Sequence, residues 1–336
     1  MNEPATVPTA LLVMEEARRA DVYPPEVLAG LGRLVHWQGP PLTRQELEAD
    51  PDVLRDVDLL LTGWGAPVLD GALLSHAPRL RAVLVAAGSV RHLTTPAFWD
   101  RGIPIVSAAA ANAVPVAEFT LAHVLLGLKQ AHHIAREVAH NRRFPVNPDV
   151  PGAYRSRVGL LGLGHIGRLV AAHLARFDVE VLATDPVASS DTAERAGVRL
   201  VSIDELFAGC HVVSLHAPLL PETRGSIGAR LLGSMRPGAT LINTARGALI
   251  DEAAATEVLR ARPDLTAVLD VTHPEPPAAD SPLFTLPNVV LTPHLAGAMG
   301  AERHRLGQLV LDEVRRFTED LPLRHAIDPA HAASLA

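Results

Sequence analysis

The chain has 336 residues and a net charge of −7 at neutral pH, with acidic and basic residues interspersed and no basic block. That length allows two domains with substantial cores, and the charge pattern argues against nucleic acid as the main partner. The single cysteine, Cys210, excludes an intramolecular disulfide, and no export signal is read at the start, so a reducing cytoplasm is the expected setting.

In chain order, the first hundred residues alternate short apolar runs with helix-like stretches. Strands are expected at Ala10–Met14, Arg33–Trp37, Asp58–Thr62, Arg81–Ala87 and Ile103–Ser107. Strands alternating with helices predict a parallel sheet covered on both faces. The small-residue stretch Ala108–Ala113 is a candidate hinge, and a long helix is expected over Val116–Asn141, before the Pro-rich turn Pro145–Pro151. The most hydrophobic part of that helix, Val116–Leu128, is interrupted by Glu118 and His123. It falls short of the ~20 apolar residues of a membrane span, so a buried helix and no membrane partner are expected.

From Val158 a second α/β series begins, with strands at Val158–Leu161, Val179–Thr184, Arg199–Val201, His211–Leu215, Thr240–Asn243, Ala267–Asp270 and Val289–Leu291. Ser202 and Glu205 read as a capping box that would open a helix after the third of these. A last helix, Ala301–Thr318, is expected to pack back on the first domain.

Between the first two strands of the second series lies Gly162-Leu-Gly164-His165-Ile166-Gly167, the G-x-G-x-x-G spacing. Gly162 makes the tight turn, Gly164 lets the backbone approach a pyrophosphate, and Gly167 lets helix and strand pack closely. The second strand ends at Asp185, 18 residues past Gly167, where a carboxylate can accept hydrogen bonds from a ribose. Asp185 would repel a 2′-phosphate, and Pro186, Val187 and Ala188 offer no cation, so NAD is favoured over NADP. A dinucleotide domain that opens mid-chain leaves the first series as a separate domain. The fold class predicted is α/β: two Rossmann/flavodoxin-like parallel-sheet domains with an interdomain cleft as the active site. The substrate domain is placed at residues 1–111, completed by 299–336, and the dinucleotide-binding domain at 112–298.

Three later segments carry candidate chemistry, because ligands sit beyond the carboxyl ends of strands in such sheets. Arg246 follows a strand and precedes Gly247, where a guanidinium can hold a carboxylate by two parallel hydrogen bonds. Asp270 and Glu275 lie at the next strand end, and His294 directly follows Pro293 at another. A carboxylate beside an imidazole orients it and favours its charged form, giving a proton carrier near neutrality. Lys129 is the one lysine against 29 arginines, so neither a P-loop lysine nor a ready Schiff-base lysine is at hand. No H-E-x-x-H or C-x-x-C spacing occurs, and no metal is expected.

Val158–Gly297 resembles the cofactor domain of the NAD-dependent D-2-hydroxyacid dehydrogenases. The residues that carry the resemblance are the glycine loop, Val213-Ser-Leu-His216-Ala-Pro218, Leu241–Gly247, Leu269-Asp270-Val271 with Glu275-Pro276, and Thr292-Pro-His294. Upstream, Asn112 with Val116–Leu121 is similar to the start of the family's interdomain helix. The resemblance implies Arg246 as the substrate-binding group, His294 as the acid/base and Glu275 as its partner. It implies that the backbone of Gly88, Ser89 and Val90 holds the substrate carboxylate. It implies that Gly162, Gly164, His165, Ile166, Gly167, Asp185, His216, Pro218, Thr223, Thr244, Ala245, Asp270 and Gly297 line the dinucleotide. A small 2-hydroxy or 2-keto acid is then the expected substrate, with phosphoglycerate oxidation as one specific activity and a twofold homodimer as the expected assembly.

Departures from the family pattern are Ser89-Val90-Arg91-His92, where the family has a second glycine and an acid, and His165, where arginine is common. Arg91 could recognise a second anionic group, and Trp64 could enter the substrate cleft or pack between domains. The competing reading is an NAD-sensing, corepressor-like binding protein, disfavoured by retention of all three catalytic candidates. The formate branch of the family has glutamine at the Glu275 position, and a phosphite enzyme would use a lysine that has no match here.

Overall fold

Each strand of the first series sends alternate side chains to opposite faces, and both faces are apolar. In the computed structural model, which describes residues 7–330, these strands are β1 (Thr9–Val13), β2 (His36–Trp37), β3 (Leu59–Thr62), β4 (Ala82–Val85) and β5 (Ile105–Ser107). They form one parallel sheet in the order β2-β1-β3-β4-β5. Leu12, Leu59, Leu61 and Leu84 face one core, which the His304–Thr318 helix completes with Leu306, Val310 and Val314. Leu11, Leu60, Val83 and Val85 face the other, against Leu47, Leu54 and Phe98. Local signals start the flanking helices: Thr43 and Glu46 make a reciprocal capping box, and Thr95 caps a turn whose next residue is Pro96. The edge of β5 is covered by the chain's own tail, where Ile327 donates to the Ile105 carbonyl at 2.8 Å.

The second sheet contains β6 (Ser156–Leu161), β7 (Val179–Thr184), β8 (Arg199–Leu200), β9 (Val212–Leu215), β10 (Thr240–Asn243), β11 (Thr266–Leu269) and β12 (Val289–Leu291). All seven run parallel in the order β12-β11-β10-β9-β6-β7-β8. The strand order reverses between β6 and β9, and ligands in open α/β sheets bind outside the strand ends at such a switch point. The chain divides into two compact units, one of residues up to Asn112 and from Ala298 onward, the other Ala113–Gly297. The outer ends of the first domain as expected, 1–6 and 331–336, lie outside the described residues.

Two expectations about the middle of the chain are corrected. The small-residue stretch Ala108–Ala113 holds the division between the two units, after Asn112, and most of it is helical: an α-helix runs over Ala109–Leu128 and not from Val116, consistent with alanine's helix propensity. The long helix does not continue to Asn141 but stops at Leu128, and a second helix, Ala131–Asn141, follows Gln130, whose φ of 47° breaks the path. The first helix, with 20 residues and a mean hydropathy of 1.4, is long and apolar enough to cross a membrane by composition alone, contrary to the expectation from Val116 onward. Ala117, Val124 and Leu128 instead pack with Val158, Leu160 and Val212 in the second unit's core.

Candidate active site

The nucleotide loop is shaped by what cannot fit there. Gly162 has φ 99°, and a Cβ on it would lie 2.7–2.8 Å from the backbone of His216 and Ala217. A Cβ on Gly167 would lie 2.2 Å from the Gly162 carbonyl oxygen. The following helix, His165–Leu174, begins at Gly164 with no side-chain cap, and nothing stands within 4 Å of where a Gly164 Cβ would be. Open space thus lies beside the helix N-terminus, where a phosphate can approach the backbone. This cradle fits a dinucleotide pyrophosphate.

Asp185 is half-buried and already well used: Oδ2 accepts from the Leu163 N–H at 2.7 Å, and Oδ1 from Val187 and Ala188 at 2.9 and 3.0 Å. The carboxylate both starts the turn after β7 and ties it to the glycine loop. Arg168 holds the other side of the same residue, donating to the Leu163 carbonyl at 2.9 Å. Sequence reasoning looked for a cation only after Asp185 and missed this one, although its place one residue past Gly167 puts it on the helix's first turn.

Residues at the ends of β9 and β10 form the next wall. His216 donates its backbone N–H to Leu161, and its Nε2 is shut off from solvent with no partner. Burial pushes the ring down to about 4, so it is neutral near pH 7. Thr223 closes a short loop by donating to the Pro218 carbonyl at 2.7 Å. The Thr244 and Thr120 hydroxyls lie 3.2 Å apart. Asn243, fully buried, accepts from the Ala245 N–H and donates to the Arg246 carbonyl, both at 3.0 Å. That side-chain turn fixes the peptide presenting Arg246, and the signal was an Asn at a strand end before small residues. Arg246 is half-buried, and its Nη1 donates to the Ala245 carbonyl at 2.6 Å. Burial lowers its pKa from the ordinary value, and the negative charge of Glu275 acts against that.

Beyond β11 and β12 the acid/base candidates meet. His294 Nδ1 and Glu275 Oε1 are 2.5 Å apart, with half of the His294 side chain exposed. His294 has φ 54°, a left-handed conformation that costs a non-glycine residue about 1–2 kcal/mol. Asp270, only 1% exposed, holds this conformation: its carboxylate accepts from the Thr292 hydroxyl at 2.7 Å, Leu295 N–H at 2.8 Å and Ala296 N–H at 2.9 Å. The role visible for Asp270 is thus to anchor the histidine loop. A cavity of about 710 Å³ abuts the pair, walled by Pro276, Pro277, Leu283 and Phe284. The pair's free imidazole nitrogen can exchange a proton with a bound oxygen while the carboxylate balances the charge.

In the first unit, the Gly88 carbonyl accepts from the Ser107 hydroxyl at 2.6 Å, and Val90 is buried, so the Gly88–Val90 loop is fixed from beneath. Arg91 and His92 are exposed just after it. Trp64 packs on this unit's own core under the Arg303 guanidinium, 5.7 Å from the ring centroid, and Arg303 pairs with Asp21 at 2.6 Å.

Residues 121–296, just over half of the chain, match the family model of the D-isomer specific 2-hydroxyacid dehydrogenase NAD binding domain. The chain is 36% identical over 301 residues to D-3-phosphoglycerate dehydrogenase of Mycobacterium bovis, covering 88% of this chain and 55% of that protein. It is 33% identical over 263 residues to D-3-phosphoglycerate dehydrogenase of Archaeoglobus fulgidus, covering 77% and 49%. The chain thus spans about half the length of these curated relatives. Among solved structures, a D-isomer specific 2-hydroxyacid dehydrogenase from Xanthobacter autotrophicus Py2 in complex with NADPH and MES is similar at a TM-score of 0.74 and 27% identity, over 96% of this chain and 99% of that one. With the matched segment coinciding with the seven-stranded unit and its glycine cradle, the chain belongs to the D-isomer specific 2-hydroxyacid dehydrogenase family and carries that family's NAD-binding domain.

Proposed function

We propose that the chain is an NAD-dependent oxidoreductase that interconverts a small D-2-hydroxyacid and its 2-keto acid, with phosphoglycerate, the substrate in its relatives' names, as one specific candidate. The observation that carries this is the 2.5 Å His294–Glu275 contact at the strand ends of an NAD-binding domain. NAD supplies the hydride acceptor or donor. Arg246 binds the substrate carboxylate and stabilises charge on the C2 oxygen. His294 takes the hydroxyl proton, or returns it in reduction, and Glu275 stabilises the imidazolium. The unit built around β1–β5 acts as the substrate domain, and backbone N–H groups of Gly88, Ser89 and Val90 hold the carboxylate. The glycine loop with His165 and Ile166 holds the pyrophosphate; Asp185 binds the ribose; His216, Pro218, Thr223, Thr244, Ala245, Asp270 and Gly297 line the rest of the dinucleotide.

The preference for NAD over NADP rests on the Asp185 charge. A homodimer is supported by Phe144, Val146 and Tyr154, which are 83%, 89% and 68% exposed. The cytoplasmic setting, without membrane or nucleic-acid partners, rests on the lone buried Cys210 and the interspersed charges. Following NADH loss with glyoxylate, pyruvate, hydroxypyruvate, phosphohydroxypyruvate and bulkier 2-keto acids tests the activity. Turnover with at least one of them is expected, and NADPH should be the poorer donor. Tight NADH binding without turnover on any would contradict the enzyme reading.

A further inference from the structure

Between Leu128 and Gly152 the chain leaves the core of the second unit and returns to it. The Gly152 N–H donates to the Leu128 carbonyl at 2.9 Å, closing the base of the excursion. Its helix, Ala131–Asn141, has no buried residue. At the joint before it, Gln130 donates through Nε2 to the Gly238 carbonyl at 3.3 Å. An aromatic ladder ties the helix to the core. Phe119 and His123 of the Ala109–Leu128 helix have ring centroids 4.5 Å apart, and His123 stacks on His132 of the excursion at 5.7 Å and 27°.

Each imidazole has one nitrogen shut off from solvent without a partner: Nδ1 of His123 and Nε2 of His132. A neutral ring loses one hydrogen bond there. An imidazolium would place a charge, and an N–H without an acceptor, inside the stack, which is far more costly. Burial and the neighbouring ring hold His123 below the ordinary imidazole range; burial and the Arg136 guanidinium do the same for His132. Asp270, at the end of β11, is the facing charge that favours a protonated His123, and its carboxylate is already engaged by residues 292–296. On the excursion's own helix, Arg136 faces His132, with His133 and Glu137 beside it.

We propose that the His123–His132 stack is an acid-sensitive latch, closed while both rings are neutral and opened when either takes a proton, so that the Ala131–Asn141 helix separates from the core. An opened ring is hydrated and binds the proton more tightly than a stacked one. The closed form is therefore fully stable above the ordinary imidazole value of 6.5 and weakens as pH falls below it.

Hydrogen exchange on the full chain near pH 7.5 and near pH 5, corrected for the intrinsic pH dependence of exchange, tests this. Peptides from residues 131–141 are compared with peptides from β6 and β7 as internal reference. In the wild type, protection of the helix should fall by about tenfold or more relative to the strands on acidification, a change of about 1.4 kcal/mol. The double variant His123→Phe/His132→Phe, which keeps two rings in the stack without a titrating nitrogen, should lose little. Unchanged relative protection in the wild type, or the same acid loss in the double variant, contradicts the latch. Should the double variant fail to fold, each single variant should lose less protection than the wild type, and a loss equal to the wild type's in both contradicts the latch.

Discussion

Two segments of the second unit are held in opposite ways. The histidine loop, residues 292–296, hangs on one buried carboxylate, with three donors converging on Asp270. The excursion between Leu128 and Gly152 is tied by a stack of rings and a few backbone contacts, and its helix has no buried residue. A left-handed residue that must aim one nitrogen needs its alternatives removed, and an anionic acceptor buried beneath the loop does that. Surface that contributes no chemistry needs no such anchor.

The largest break in this contrast should come from Asp270→Ala. It leaves three donors without an acceptor, each worth roughly 1–3 kcal/mol when buried. Loss of about 3 kcal/mol or more in denaturant unfolding is expected, together with loss of keto-acid reduction. A stable variant with near-normal turnover would show that the loop is held by something else.

Acid unfolding separates the core from the excursion. His216 is held neutral by burial, down to about 4 from 6.5, so the unfolded chain binds a proton that the folded chain refuses. Its contribution to stability is complete above pH 6.5 and declines as pH falls toward 4. The melting temperature should drop over that window and drop less in His216→Asn, as differential scanning fluorimetry against pH would read.

Glu275→Gln probes the pair itself. Without the carboxylate the imidazolium is less stabilised, and keto-acid reduction needs the protonated ring. The rate of reduction should fall while part of the activity remains. Undiminished reduction would remove Glu275 from the proton-transfer role.

The smallest effect on folding is expected at the excursion's tip. Phe144→Ser should change unfolding free energy by less than about 0.5 kcal/mol, as exposed substitutions usually do. It should nevertheless lower the dimer fraction measured by sedimentation.

Much of this was legible in the sequence because it was local. Strand positions followed from short apolar runs, and the glycine loop announced itself by spacing. Arg246, Glu275 and His294 each stand just past a strand, where the fold class alone puts chemistry. What stayed hidden depended on contacts far apart in sequence. Asp270 looked like a cofactor residue, and its grip on residues 22 to 26 positions later appears only in three dimensions. Arg168 was overlooked because a cation would be expected past Asp185 in the chain, while both side chains meet at Leu163, one on its N–H and one on its carbonyl. The break at Gln130 was missed because helical periodicity runs on both sides of it and a left-handed glutamine carries no sequence signature.

The central claim is that His294, held by Asp270 and tuned by Glu275, carries the proton. Single-turnover reduction of the best keto acid by His294→Ala, with NADH affinity measured by fluorescence on the same sample, tests it most directly. The account predicts a rate lower by about 10²–10⁴, the usual worth of a positioned acid/base, with NADH affinity nearly unchanged. Reduction at close to the wild-type rate would contradict it.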